Sequence, residues 1–149
     1  MPIYNEARWI DTVLERVLAR KEVGQVVAVD DGSTDGSWEK LQASPAKDPR
    51  VVVISHKRNR GKGAAIRTAL TRLETPLILI QDADLEYDPA DYPKLLAPVL
   101  NGTAEVVYGS RFTASGSHNP RWHTLGNRLL TWAANRVTGL RLTDEARVT

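Results

Sequence analysis

The chain has 149 residues, of which 42% are hydrophobic and 26% are charged, which suits one globular domain with an apolar core and excludes a disordered chain. Acids and bases are interleaved and sum to a net charge of only +2, which argues against a dedicated nucleic-acid-binding protein although the isoelectric point is near 9. There is no cysteine, so disulfides and thiolate metal sites are excluded, and no apolar run approaches the roughly 20 residues that span a bilayer.

The predicted elements alternate between helix and strand along the chain. Apolar residues recur at helical spacing in several segments, and continuous apolar runs between them end in turn-forming residues. The patterns predict helices over about 5–20, through Trp38 and Leu41, over 61–73, from Pro89 to Leu100 and over 121–139, and strands over 25–31, 51–56, 76–81 and 104–112. Asp88 is the expected N-cap of the helix that Pro89 opens.

This order of elements predicts an α/β fold, with an open, mostly parallel sheet covered by helices on both faces. Ligands of such sheets bind at the carboxyl ends of the strands. The residues that this rule brings to one edge are Asp30, Asp31, His56, Asp82, Asp84 and Arg111. Residues 2–6 resemble the loop that follows a strand, although no strand precedes them. If the first strand belongs in the middle of the sheet, the chain is a fragment.

Four acids follow the apolar run 76–81 at every second position: Asp82, Asp84, Glu86 and Asp88. Two carboxylates about 5 Å apart repel by roughly 3 kcal/mol at an effective dielectric near 20. Asp82 and Asp84 flank a small residue, so both carboxylates are able to reach one Mg²⁺ or Mn²⁺ ion, which would turn the repulsion into attraction. The alternative is that Asp84, Glu86 and Asp88 are turn and cap residues.

Two more acids end the strand predicted over 25–31, in the stretch VDDGSTDGS. An acid at this position is suited to accept a hydrogen bond from a ribose hydroxyl or a base N–H, and Asp30 is the candidate. The alternative is a capping sequence, because Ser33, Thr34 and Asp35 are all good N-cap residues.

The stretch HKRNRGKGAA, residues 56–65, is rich in basic residues and glycine at the start of a helix, which favours an anionic ligand. The spacing of a P-loop is absent. Arg58 and Lys62 are candidate ligand contacts, whereas Lys57 and Arg60 fit a solvated loop. Arg111, in a glycine turn, is suited to grip a phosphate or to pair with the acidic loop.

Six stretches in register resemble the inverting, family 2 glycosyltransferases of the GT-A fold, particularly the dolichyl- and polyprenyl-phosphate sugar transferases. They are MPIYNEA, VVAVDDGSTDGS, HKRNRGKGAAIRTAL, QDADLEYDP, VYGSRF and NRLLTWAANRVTGLRLTD, and together they cover nearly all of the chain. The resemblance implies a Rossmann-like fold that binds a nucleotide-diphospho-sugar, here apparently without its first strand.

The resemblance also implies roles for individual residues. The implied substrate contacts are Pro2, Tyr4, Asn5, Glu6, Asp30, Asp31, Lys62, Asp82 and Ala83; the implied metal ligands are Asp82, Asp84 and Glu86; the implied catalytic residues are Asp84 and Arg111. Thr143 and Asp144 match the motif that precedes the acceptor-side loop.

The implied activity is transfer of a sugar, with inversion and with Mg²⁺ or Mn²⁺, from a GDP- or UDP-sugar to a polyprenyl or dolichyl phosphate. The implied location is the cytoplasm, at the cytoplasmic face of the membrane, without nucleic acid as a partner. We expect one incomplete catalytic domain over 1–149, with a nucleotide-binding half over about 1–112 and the start of an acceptor-side region over about 113–149. We expect this chain to bind metal and nucleotide, but we do not expect it to complete the transfer reaction alone.

Three alternatives remain open. A nucleotidyltransferase also uses paired acids and a metal. A phospho-acceptor signalling domain collects carboxylates at strand ends, but it needs an isolated aspartate and a lysine at a later strand end. An inactive fragment would bind only nucleotide or a partner, including a second copy, because a gap in the sheet leaves strand edges unpaired.

Overall fold

A parallel sheet of three strands lies at the centre of the described chain. The computed structural model describes residues 1–44, 48–109 and 136. The strands are β1, Pro2–Ile3; β2, Val26–Asp30; and β3, Val51–Ser55. Both neighbouring pairs are parallel, and the spatial order is β1-β2-β3. The α/β class and the strands predicted over 25–31 and 51–56 are therefore confirmed.

The register brings the three strand ends to the same level. Asp30 is paired with Ile3 of β1 on one side and with Ser55 of β3 on the other. Because all three strands run in the same direction, their following loops leave the sheet from one edge. We call this edge the carboxyl edge, and it positions the site described below.

Helices connect and cover the strands. They are α1, Ile10–Leu18; α2, Ser37–Gln42; α3, Lys62–Leu70; a 3₁₀-helix, Pro89–Asp91; and α4, Tyr92–Leu100. The predicted cap is confirmed, since the Asp88 carboxylate accepts a 2.9 Å hydrogen bond from the amide of Ala90. The first helix begins at Ile10 and not near residue 5, because Asn5 has a left-handed backbone, with φ of 57°, that a right-handed helix cannot include.

Two apolar clusters pack against the sheet, one on each face. Val26 and Ala28 belong to the larger cluster, and Val27 and Val29 to the smaller one, as the alternation of side chains along a strand requires. The other buried members of the larger cluster are Ile3, Ile10, Val13, Leu14, Val17, Leu41, Val51, Ala83 and Tyr92. Burial on both faces explains why β2 is a continuous apolar run.

The strand predicted over 76–81 is wrong: the structure has no strand there, and Leu77, Ile78 and Ile80 are 39%, 53% and 56% exposed. An apolar run forms a strand only where a neighbour offers backbone donors and acceptors. Asp82, just beyond the run, lies close enough to the Met1 amino group to influence its pKa, so the segment approaches the β1 side of the sheet. There, β1 offers only two residues for pairing.

The strand predicted over 104–112 is also absent from residues 104–109, where Val106 and Tyr108 are exposed, and residues 110–112 lie outside the described residues. The helix predicted over 121–139 lies outside them too, apart from Arg136, which is helical. Pro2 and Ile3, which were assigned to a loop after a strand, themselves form β1, so that loop begins at Tyr4.

The chain divides into two compact units, Met1–Lys94 and Leu95–Thr149. The first contains the sheet and every residue of the site described below. Of the second, residues 95–109 and 136 are described. Among the described helices, none has the length and apolar character required to cross a membrane.

Candidate functional site

The loop that follows β1 is tied to the loop that follows β2. The amide of Asn5 donates to Ser33 Oγ, and Asn5 Oδ1 accepts from the amide of Thr34, both at 2.9 Å. Asn5 adopts a left-handed backbone with φ of 57°, a conformation that asparagine tolerates better than most residues. Tyr4 beside it is 46% exposed. The two loops therefore form one hydrogen-bonded surface at the carboxyl edge.

Asp35 extends this connection. Its carboxylate accepts from the Ala7 amide and from both the amide and the hydroxyl of Ser37. Desolvation raises the pKa of Asp35, but the hydrogen bonds from Ser37 and Ala7 outweigh it and leave the pKa below its ordinary value. The N-cap position of α2 is held by Gly36, with φ of 92°, and not by Ser33, Thr34 or Asp35 as predicted. The hydrogen bonds of Asp35 join two loops as well as starting the helix.

Asp30 is buried at the end of β2, with only 1% of its surface exposed. Its carboxylate accepts from Ser55 Oγ at 3.1 Å and from the Ser33 amide at 3.3 Å. These bonds hold β3 and the β2 loop together. The predicted nucleoside contact at Asp30 stays a prediction, and its carboxylate already has partners within the protein.

Asp31 organises the loop between β3 and α3, residues 56–61, through a buried network; we call this segment the basic loop. Its carboxylate lies 2.6 Å from His56 Nδ1 and accepts from the amides of Arg60 and Gly61. Since an ionised carboxylate only accepts, His56 Nδ1 carries the proton, and Nε2 lies 2.8 Å from Thr68 Oγ1. His56 is 8% exposed, so it supports the loop from beneath and does not add to its exposed positive charge.

Lys62, the first residue of α3, connects the end of the basic loop to the acidic loop, residues 82–88. Its Nζ lies 2.7 Å from Asp82 Oδ2, with 32% and 22% of the two side chains exposed. The sequence raised an ion pair with the acidic loop as an alternative role for Arg111. In the described residues it is Lys62 that makes such a pair, while Arg111 lies outside them.

The acidic loop, residues 82–88, has a defined backbone. Asp84 Oδ1 accepts from the Glu86 amide at 3.0 Å, and Leu85 between them is left-handed with φ of 63°. A branched residue rarely adopts that conformation, and such strain occurs most often at functional sites. Asp84 therefore serves as a turn residue, as one alternative predicted, while remaining partly exposed at the same edge.

Glu6 faces the acids of this loop. Burial raises the pKa of Glu6, and the negative charges of Asp84, Asp35 and Asp82 raise it further. The loop after β1 thus contributes a carboxylate to the same region as the acidic loop. The sequence assigned Glu6 to the nucleotide and did not predict its proximity to Asp82 and Asp84.

The donor chemistry at this edge suits a hard divalent cation, because several of its groups are carboxylates; burial first, and then their negative charges, raise the pKa of Glu6. In residues 1–44 and 48–109, however, no three His, Asp or Glu side chains converge as a set that could hold a metal ion. Asp82 is paired with Lys62, and Glu86 is exposed. The assignment of Asp82, Asp84 and Glu86 as ligands stays a prediction.

The remaining predicted contacts are placed as follows. Pro2 is a partly exposed residue of β1, and Arg58 is exposed on the basic loop. Ala83 is 3% exposed and packs in the core, so only its backbone could face a ligand. Thr143 and Asp144 lie outside the described residues. Sequence reasoning considered Ser33 only as a helix cap and missed the supporting residues Ser37 and Gln81. Only the polar character of Gln81 at the end of an apolar run could have indicated it.

Residues 1–147 match the sequence pattern of the family described as glycosyl transferase family 2. The chain belongs to glycosyl transferase family 2. This confirms the resemblance on which the expected fold and reaction class were based, and with it the GT-A-type α/β architecture.

Several curated glycosyltransferases are similar to this chain. An undecaprenyl-phosphate 4-deoxy-4-formamido-L-arabinose transferase from Pseudomonas aeruginosa is 35% identical over 149 residues, which cover 97% of this chain and 43% of that protein. A dolichol-phosphate mannosyltransferase from Pyrococcus furiosus is 31% identical over 118 residues, covering 78% of this chain and 33% of that protein. The chain thus spans less than half the length of these relatives.

A solved family relative supports the fold. The mannosyltransferase PcManGT from Pyrobaculum calidifontis, in complex with GDP-Man and Mn²⁺, superposes with a TM-score of 0.52 and 31% identity. The superposition covers 56% of this chain and 26% of that protein.

Proposed function

We propose that this chain forms the donor-binding part of a glycosyltransferase that moves a sugar from a nucleotide-diphospho-sugar to a polyprenyl phosphate, with inversion. The observation that carries the proposal is the 2.7 Å ion pair between Lys62 and Asp82, beside Asp84 and Glu6, at the carboxyl edge of a parallel sheet. Family membership and the names of the relatives support it.

The diphosphate of the donor would lie at the acidic loop and the start of α3. Asp82 and Asp84, with Glu86 as a further candidate, would hold a Mg²⁺ or Mn²⁺ ion there. When bound, that ion supplies positive charge that neutralises the departing nucleoside diphosphate. Lys62, which is partly exposed, would then be free to contact a phosphate oxygen in place of Asp82.

The nucleoside would lie over the loops after β1 and β2. Tyr4 is exposed and Asn5 is fixed by Ser33 and Thr34, so this surface is ordered before the nucleotide arrives. Preorganisation of this kind reduces the entropy lost on binding. Asp30 and Asp31 would act mainly by holding the loops in place, because their carboxylates are buried and hydrogen-bonded.

The acceptor would be a lipid phosphate. A phosphate monoester has a second pKa of about 6, so it is already a nucleophile at pH 7 and requires no strong general base. Arg111 remains the proposed cation for one of the phosphates. Because the acceptor is a lipid, we propose that the reaction takes place at the cytoplasmic face of the membrane.

The proposal is tested by isothermal titration of GDP and UDP with and without Mn²⁺, and by transfer of a radiolabelled sugar to a short polyprenyl phosphate. Asp84→Asn is expected to weaken the Mn²⁺-dependent part of nucleotide binding at least 10-fold while the circular dichroism spectrum is retained, because one of the proposed carboxylate ligands is lost.

Asp91→Asn is the matched control, since Asp91 is likewise a partly exposed aspartate, but its carboxylate pairs with Lys94. Asp91→Asn should bind nucleotide, with and without Mn²⁺, as tightly as the unaltered protein does. Undiminished Mn²⁺-dependent affinity in Asp84→Asn would refute the site, and Mn²⁺-dependent turnover of a nucleoside triphosphate in place of sugar transfer would favour a nucleotidyltransferase.

A further inference from the structure

Gln81 is a buried polar residue immediately before the acidic loop. Its side chain is embedded in the first unit, with 5% of the residue exposed. Burying an amide is costly unless it is hydrogen-bonded. The Gln81 amide is fully engaged: Nε2 donates to the carbonyls of Asp82 at 3.0 Å and Tyr87 at 3.2 Å, and Oε1 accepts from the Tyr92 hydroxyl at 2.8 Å.

The two carbonyls lie near opposite ends of the acidic loop. One amide nitrogen therefore closes a loop that includes Asp82, Asp84 and Glu86. The loop needs such a closure, because it contains the left-handed Leu85 and mutually repelling carboxylates. Without the Gln81 bridge, the backbone would relax by moving those carboxylates apart.

Tyr92 holds the Gln81 amide in the orientation that the two carbonyls require. Carbonyl oxygens only accept, so Nε2 must face them, and Oε1 is left for the Tyr92 hydroxyl. Tyr92 is itself 4% exposed and belongs to the larger core cluster. Burial raises its pKa, so the hydroxyl remains a donor over the whole physiological range. The loop is thereby connected to the hydrophobic core through two side chains.

We propose that Gln81, oriented by Tyr92, is a positioning residue that holds the acidic loop in the form that receives the divalent cation and the donor diphosphate. This inference rests on the proposed function. Gln81 touches no reacting atom in this scheme, and it acts only through the backbone that carries Asp82 and Asp84.

The experiment measures Mn²⁺ binding alone, by the loss of the free-ion electron paramagnetic resonance signal, in the full chain. Gln81→Met preserves length and apolar volume but removes all three hydrogen bonds, and its Mn²⁺ dissociation constant should rise by about 10-fold, as for other residues that support metal ligands. Tyr92→Phe removes only the hydroxyl that holds Oε1, so it should produce a rise smaller than that of Gln81→Met.

Gln25→Met is the matched control. Gln25 also bridges backbone groups, donating to the Arg72 carbonyl and accepting from the Glu74 amide, but it precedes β2 at the opposite edge of the sheet. Its loss should affect thermal stability without changing the Mn²⁺ dissociation constant. If Gln81 had only a structural role, Gln81→Met would change thermal stability and leave the Mn²⁺ dissociation constant unchanged, as expected for Gln25→Met. That outcome would overturn the proposal.

A second readout separates this inference from the proposed function. Amide hydrogen exchange over residues 82–88, measured without metal, should be at least several-fold faster in Gln81→Met than in the unaltered protein, and unchanged in Gln25→Met. If the unaltered protein binds no Mn²⁺, the metal-dependent function fails, and exchange still decides whether Gln81 orders the loop. Unchanged exchange in both Gln81→Met and Tyr92→Phe would refute the positioning role; if Gln81→Met does not fold, Tyr92→Phe decides.

Discussion

At the scale of single residues, the acids of the carboxyl edge divide into two groups that the sequence does not distinguish. Asp30 and Asp31 are nearly inaccessible and bind neighbouring loops, whereas Asp82 and Asp84 remain partly exposed. Asp35 belongs with the first group in function, although its carboxylate lies near the surface and joins the loops after β1 and β2. Hydrogen bonds from backbone amides favour the ionised form of a carboxylate, so they stabilise a fold most when that carboxylate is charged.

Asp35→Asn tests this point through its pH dependence. The folded-state pKa of Asp35 is lowered, so the unfolded chain binds more protons, and the contribution to stability is present above the ordinary carboxyl pKa and lost as pH falls through the folded-state pKa. The variant should be less stable by about 1 kcal/mol at pH 7, with the difference shrinking towards pH 3. Urea unfolding at both pH values measures it, and parallel losses at the two pH values would contradict it.

At the scale of elements, the sequence predicts a helix or strand correctly when the segment's own residue pattern is enough to determine what it packs against. β2 and β3 were predictable, because long apolar runs ending in glycine or polar residues require burial on both faces. Residues 76–81 show an equally apolar run without a strand, since the backbone partner depends on the length of β1 and not on the run itself. The shortened α1 has a similar cause, because Asn5 is held in a left-handed conformation while its side chain bonds the loop after β2.

Gly32 shows how closely the loops approach one another. A Cβ on Gly32 would lie 2.6 Å from the carbonyl carbon of Arg58, and its φ is 76°. Gly36 has a φ of 92° but nothing within 4 Å of its Cβ position. Gly36→Ala should therefore cost about 1 kcal/mol, from backbone strain alone, and Gly32→Ala at least about 2 kcal/mol, because the basic loop must move as well. Equal losses in urea unfolding would show that the contact with Arg58 is unimportant.

At the scale of the whole molecule, the motifs predicted which loops meet, but not which side chains within them remain available. The resemblance assigned Glu6 to the nucleotide and Lys62, Asp82 and Asp84 to the phosphates or their metal, and the structure brings these residues near one another. It could not predict the hydrogen-bond partners of Asp31 or the support from Gln81, because buried polar networks depend on distances between segments far apart in sequence.

The charge balance across the carboxyl edge yields a last prediction, for Glu6→Gln. Burial and then the charges of Asp84, Asp35 and Asp82 raise the pKa of Glu6, so the folded protein prefers the neutral form and loses stability as pH rises from the ordinary glutamate pKa through the raised one. Metal-free Glu6→Gln should be more stable than the unaltered protein at pH 7, by only about 0.5 kcal/mol, because Glu6 is partly exposed and solvent screens its charge. Adding Mn²⁺ should raise the melting temperature of the unaltered protein more than that of Glu6→Gln, because the cation relieves a repulsion that the variant has already lost. A Glu6→Gln protein that is less stable without metal would show that the acids at this edge do not repel one another.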